Sequence, residues 1–118
     1  MNMYAIRGAI QIDENSAVAI KRGTGELLTA LLQANSVSVA DIISVLFTAT
    51  VDLNAAFPAA GAREIGFGAT PLICATEIDV PDSLPRTIRT LVHVHGRSED
   101  LRHVYLGGAA VLRQDLAQ

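Results

Sequence analysis

Length and composition set narrow bounds. With 118 residues, half of them hydrophobic, the chain is expected to form a single domain over 1–118 around one core. A net charge of −3 without a basic run or aromatic–basic interleaving excludes an ordinary nucleic-acid binder, and a single cysteine excludes an intrachain disulfide. No charged N-terminal stretch leads into an apolar one, and no apolar run approaches the roughly 18 residues of a membrane span. The expectation is a soluble, cytoplasmic protein with no membrane contact. There is no Trp, and Phe and Tyr are few, so the core must be built from Ile, Val, Leu and Ala. So apolar a small chain is expected to hide part of its surface between subunits. Lys21 is the only lysine, and every other basic residue is arginine, the side chain suited to bidentate carboxylate recognition.

Residues 3–13 alternate, with Tyr4, Ile6, Gly8, Ile10 and Ile12 on one face and Ala5, Arg7, Ala9 and Gln11 on the other. The isoleucine face calls for a helix packed on it. The small-residue face carries Arg7, either a lone surface charge or a site residue. Residues 13–16 offer acidic and capping side chains for a helix start, and Val18, Leu27, Leu28, Leu31 and Leu32 then recur at helical spacing. One long helix over 17–35 is predicted, with Gly23 and Gly25 marking either a bend or close packing on the sheet.

Residues 38–41 resemble a capping box with Asp41 in place of glutamate, enough for one turn. Residues 42–50 are apolar and β-branched and read as a central strand buried on both faces. The Ala-rich stretch 54–65 reads as a short helix or 3₁₀ turns, and Gly61, Gly66 and Gly68 as a flexible loop. A phosphate cradle is disfavoured, because no Lys-Ser/Thr pair follows the glycines.

Two strand-like runs follow, 71–78 with Cys74 and Glu77, and 87–94 with Arg89, separated by a turn-rich segment. A carboxylate and a guanidinium among apolar β residues must pair with each other, as between adjacent strands, or meet a polar ligand. Alternation sets Arg89, Leu91 and His93 on one face and Ile88, Thr90, Val92 and Val94 on the other. His93 and His95 lack further ligands at metal-site spacing. A short strand over 102–106, a Gly107-Gly108 turn and an apolar run ending in Arg113 complete an α+β pattern: a mixed β-sheet packed by one long helix.

Arg7, Arg63, Arg89, Arg113 and Tyr105 come from five segments, with no serine–histidine–aspartate order and no metal set. A base beside Cys74 is not evident, and a free cysteine is ordinarily a small buried hydrophobe. An enzyme built from these parts works by positioning and fixed charge on a small anion.

Seven motifs carry a family resemblance over essentially the whole chain. They are Ile6-Arg-Gly-Ala9, Ala49-Thr-Val-Asp-Leu53, Ala55-Ala-Phe-Pro-Ala59 followed by Arg63, Cys74-Ala-Thr-Glu-Ile-Asp-Val80, Ile88-Arg89, Arg102-His-Val-Tyr-Leu106 and Val111-Leu-Arg-Gln-Asp-Leu116. In this order and spacing the sequence resembles the monofunctional chorismate mutases of the AroH class. Two positions depart from the family: Ala60 where lysine can occur and Ile73 where threonine can occur. The resemblance implies rearrangement of chorismate to prephenate in Phe and Tyr biosynthesis, with no cofactor and no metal. It also implies a homotrimer forming a pseudo α/β-barrel, with sites between subunits. By the same resemblance, Arg89 meets the ether oxygen and one carboxylate, Arg7 and Tyr105 meet carboxylates, and Glu77, with Cys74 nearby, addresses the ring hydroxyl. Phe57, Ala59 and Arg63 would come from the adjacent subunit, Ile73 would line the site, and Leu112 and Arg113 would close it from the tail. The alternatives are a trimeric small-anion-binding protein and an imine deaminase of the RidA type on a similar fold.

Overall fold

Alternation over the first residues produces a nine-residue strand, β1 (Met3–Gln11), whose Ile6 and Ile10 are buried. The structure, a computed structural model, describes residues 2–115, with side chains described through Leu112. A 19-residue helix, α1 (Ala17–Asn35), covers the isoleucine face. The Ser16 hydroxyl caps it by accepting the Ala19 N–H at 3.1 Å. Ser36 ends it in the left-handed conformation, φ 53°, one residue past the predicted stop. Helical spacing puts Ile20, Thr24, Leu27, Leu28 and Leu31 in the core with Ile6, Ile10 and Ile12. The buried Thr24 hydroxyl is satisfied by the Ile20 carbonyl at 2.8 Å. A Cβ at Gly23 would lie 2.6 Å from Ile12 Cγ2. This glycine therefore serves close packing of helix on sheet.

After a 3₁₀ turn (Val39–Asp41), β2 (Ile42–Ala49) runs into the sheet. Ser38 does not cap that turn through a backbone N–H; its hydroxyl donates to the Asp41 carboxylate at 3.0 Å. Next come α2 (Pro58–Glu64), β3 (Leu72–Thr76), β4 (Thr87–His95), β5 (Val104–Leu106) and a 3₁₀ segment (Gly107–Asp115). Pro58 opens α2, where a missing N–H costs no helical bond. Ala59 and Ala62 of α2 are buried, and Lys21 of α1 pairs with Glu64 at 3.3 Å. The glycine-rich stretch after α2, expected to be flexible, is instead pinned. Phe67 is completely buried, and its N–H donates to the Ala62 carbonyl at 3.1 Å.

The five strands form one mixed sheet in the order β3-β2-β4-β1-β5. β4 is antiparallel to both β1 and β2, while β3 joins β2 and β5 joins β1 in parallel. The runs 71–78 and 87–94 are therefore not neighbours: the crossover through α2 lays β3 on the outer edge of β2, and β4 returns on β2's other side. Nor is β2 buried on both faces. Val45 and Phe47 point into the core, whereas Leu46 and Thr48 stand half-buried on the face turned away from α1.

Two polar ties fix the approach to β5 and the entry to β4. The Asn35 side chain accepts the Arg102 N–H at 2.8 Å and donates to the Arg102 carbonyl at 2.7 Å, holding the approach to β5 against the end of α1. At the entry to β4, Ile12 and Arg86 exchange two bonds, one backbone and one through Arg86 Nε, both 2.9 Å.

Candidate active site

Strand register assembles the site on the sheet face away from α1. One row across the strands reads Ala75, Thr48, Arg89, Ala9 and Tyr105; the next reads Ile73, Leu46, Leu91 and Arg7. Side chains in such rows project to the same side. Arg7, Leu46, Thr48, Arg89, Tyr105 and Leu112 line a cavity of about 370 Å³ there, Leu112 arriving from the 3₁₀ segment after β5. Two guanidinium groups and a phenol against aliphatic walls suit a small, multiply charged anion.

Glu77 lies one residue past β3, its N–H on the Ala49 carbonyl at 2.9 Å, so it continues the pairing with β2. Arg89 Nε donates to both of its carboxylate oxygens, at 3.1 and 3.2 Å, and the Thr48 hydroxyl donates to Oε2 at 2.9 Å. The pair spans β2 rather than joining adjacent strands. Its two ends differ in environment: the Glu77 side chain is 14% exposed and that of Arg89 46%. Among the described residues, Arg89 hydrogen-bonds to a carboxylate through Nε alone, and no carboxylate pairs with Arg7.

The remaining expected residues lie elsewhere on the subunit. Cys74 registers with Phe47, on the opposite face from Arg89, and lines a second cavity of about 530 Å³ with Leu53, Phe57 and Pro58. Strict alternation thus separates Cys74 from Glu77, without a bulge in β3. Ala59 is buried on α2, Arg63 is exposed on α2, and Ile73, at the β3 end of the row of Leu46, Leu91 and Arg7, is exposed on the sheet edge. Arg113 has its side chain outside the described residues. One subunit therefore gathers Arg7, Glu77, Arg89, Tyr105 and Leu112, and keeps Phe57 and Cys74 at a separate concavity. His103 and His93 are engaged in hydrogen bonds: His103 Nδ1 accepts the Arg7 N–H at 3.2 Å, and His93 Nδ1 lies 3.4 Å from the Ser44 hydroxyl.

Thr48, Leu46 and Leu91 were not singled out from the sequence. Alternation within residues 42–50 carried the signal for the first two, but reading that strand as buried on both faces concealed it.

A family model for chorismate mutase type I matches residues 3–116. The chain belongs to this family. Its relatives include chorismate mutase AroH of Thermus thermophilus, 46% identical over 114 residues and aligned across 94% of this chain and 93% of that protein. Chorismate mutase AroH of Bacillus subtilis is 35% identical over 120 residues, covering 99% and 94%. A solved chorismate mutase structure from Clostridium thermocellum, 45% identical, superposes with a TM-score of 0.89 over 92% of this chain and 98% of that one. Membership in this family sets aside the imine-deaminase alternative.

Proposed function

We propose that this chain is a chorismate mutase, converting chorismate to prephenate by an intramolecular [3,3] rearrangement. The chemistry asks for no nucleophile and no proton transfer. It asks for the substrate to be held in a compact reactive conformer, and for fixed positive charge where the ether oxygen becomes negative as the C–O bond breaks. The observation that carries the reading is the state of Arg89: its inner nitrogen is anchored on Glu77 and its outer edge is available to a cavity that also presents Arg7 and Tyr105. In this scheme Arg89 meets the ether oxygen and a carboxylate, Arg7 and Tyr105 take carboxylates, and Leu112 caps the apolar side. No cofactor is needed for such a step.

The site is completed by a neighbouring copy in a homotrimer whose sheets form a pseudo-barrel. Supporting this, the expected residues divide into two groups on each subunit, and large apolar side chains stand exposed on the single subunit: Phe57 is 72%, Ile73 64% and Ile78 87% exposed. A head-to-tail ring brings the Arg89 face of one copy against the Phe57 and Arg63 region of the next, with Ala59, Ile73, Cys74 and Arg113 contributing to the same cleft. No helix among the described residues is long and apolar enough to cross a membrane. We place the enzyme in the cytoplasm, where its single thiol would remain reduced.

The deciding experiment is the loss of chorismate absorbance on adding purified protein, with prephenate identified as product. No acceleration over the spontaneous reaction would remove the catalytic reading and leave a non-catalytic anion binder.

A further inference from the structure

The Arg89–Glu77 pair leaves unexplained why the carboxylate holds one orientation. Glu77 meets Arg89 through Nε alone, and a glutamate carboxyl otherwise turns easily about its last torsion. The orientation matters because a guanidinium is a rigid plane with five N–H donors. When Nε–H is engaged, the direction of that bond sets where the four outer N–H groups point.

Thr48 supplies the missing constraint. It registers directly opposite Arg89, so both side chains leave the sheet on the same face. Its hydroxyl donates to Glu77 Oε2 at 2.9 Å, in a partly buried bond. Branching at Cβ limits the rotamers through which that hydroxyl can move. Three strands thus converge on one carboxylate: Glu77 from the end of β3, Thr48 from β2 and Arg89 from β4.

We propose that Thr48 is a positioning residue for the rearrangement: its hydroxyl fixes the plane of the Glu77 carboxylate and thereby aims the outer nitrogens of Arg89 into the cavity. The proposal rests on the chorismate mutase reading for its kinetic consequences, but its structural content can be tested without turnover.

Thr48→Val keeps the shape and removes the donor. Its kcat is expected to fall about tenfold with KM changed less than about twofold, because the positive charge that binds the dianion stays while its aim is lost. Thr48→Ser should recover kcat to within about threefold of the parent, and Thr48→Ala, which removes packing as well, should lose kcat as the valine variant does. In the resting protein, hydrogen exchange of the Arg89 Nε–H, followed by NMR and assigned with Arg89→Lys, should quicken in the valine and alanine variants and not in the serine variant. Normal kcat in Thr48→Val or Thr48→Ala overturns the proposal. So does equal loss in the serine and valine variants, a change confined to KM, or an exchange rate that ignores the hydroxyl. If the parent protein does not consume chorismate, the functional reading fails and the exchange measurement still decides the role of Thr48.

Discussion

Asp52 accepts the backbone N–H of Arg86 at 3.0 Å and so holds a non-glycine residue in the left-handed region, at φ 48°. The Thr50 hydroxyl donates to the same carboxylate and accepts the Thr87 N–H at 3.0 Å. Together they clamp the first residue of β4 to the end of β2, two positions before Arg89. Hydrogen bonds to a charged acceptor contribute more than neutral ones, less where water competes, so Asp52→Ala should cost about 1–2 kcal/mol of stability. The measure is the urea midpoint at constant m-value; an unchanged midpoint would mean that the clamp contributes nothing.

Two helix glycines should respond oppositely to alanine. At Gly61 a Cβ would lie 2.6 Å from the Lys21 carbonyl oxygen and 2.9 Å from its Cα, backbone atoms that cannot swing aside. Gly61→Ala should therefore force α2 off α1 and destabilise by about 1–3 kcal/mol. At Gly25 the nearest atom is Ile65 Cγ2, at an ordinary 3.6 Å, so Gly25→Ala should stabilise by about 0.5–1 kcal/mol through helix propensity. Thermal melts of both variants check the pair, and a stabilised Gly61→Ala would contradict the packing described for the two helices.

Arg89 should be the most sensitive position for turnover. Arg89→Ala is expected to lose at least ~10³-fold in kcat with a smaller change in KM, as for a lost oxyanion donor. Arg89→Lys should also be poor, since an ammonium group cannot both bond Glu77 through an inner N–H and present a fork outward. Near-normal kcat in either variant removes Arg89 from the chemistry.

Cys74 should be dispensable as a thiol. It shares the core-side row with Phe47, away from Arg89, and no step of the rearrangement needs a nucleophile. Cys74→Ser is expected to retain kcat within about threefold. Abolished turnover in a folded Cys74→Ser protein would bring covalent chemistry back into consideration.

The shared cleft can be tested by mixing. Arg89→Ala subunits should be inactive alone, and Arg63→Glu subunits, which repel a dianion, clearly impaired. Co-refolded mixtures contain clefts with an intact Arg89 from one chain and an intact Arg63 from another, and these should exceed both parents. Mixed oligomers verified by mass spectrometry that do no better than the stronger parent would place the whole site within one subunit.

Local patterns were the legible part of this fold. The spacing of Leu27, Leu28 and Leu31 and the Ser16 cap define α1 as Ala17–Asn35, and alternation sorts β1 and β4 into core and cavity faces, because these signals depend only on near neighbours. Strand order was not legible. Residues 71–78 and 87–94 are close in sequence, yet β2 intervenes, since pairing is chosen by the crossover through α2 and not by loop length. For the same reason the contact of Thr48 with Glu77 left no local trace: it exists only once the registers of β3 and β4 on β2 are both set. Phe67 illustrates the converse error. Its flanking glycines read as looseness, but Gly66, at φ 106°, makes the turn that lets the ring reach the core.

The position of β4 bears on how the chain acquires its shape over time. Both long antiparallel ladders run through it, and Met3 faces His95 while Gln11 faces Thr87. A chain growing from its N-terminus can lay α1 against β1, but β1 and β2 share no strand until residues 87–95 emerge. Loop closure over such separations is entropically slow compared with local helix formation. The apolar rows of β1 and β2 therefore share a sheet only once β4 lies between them, and the arginine-bearing face comes into being when that strand is in place.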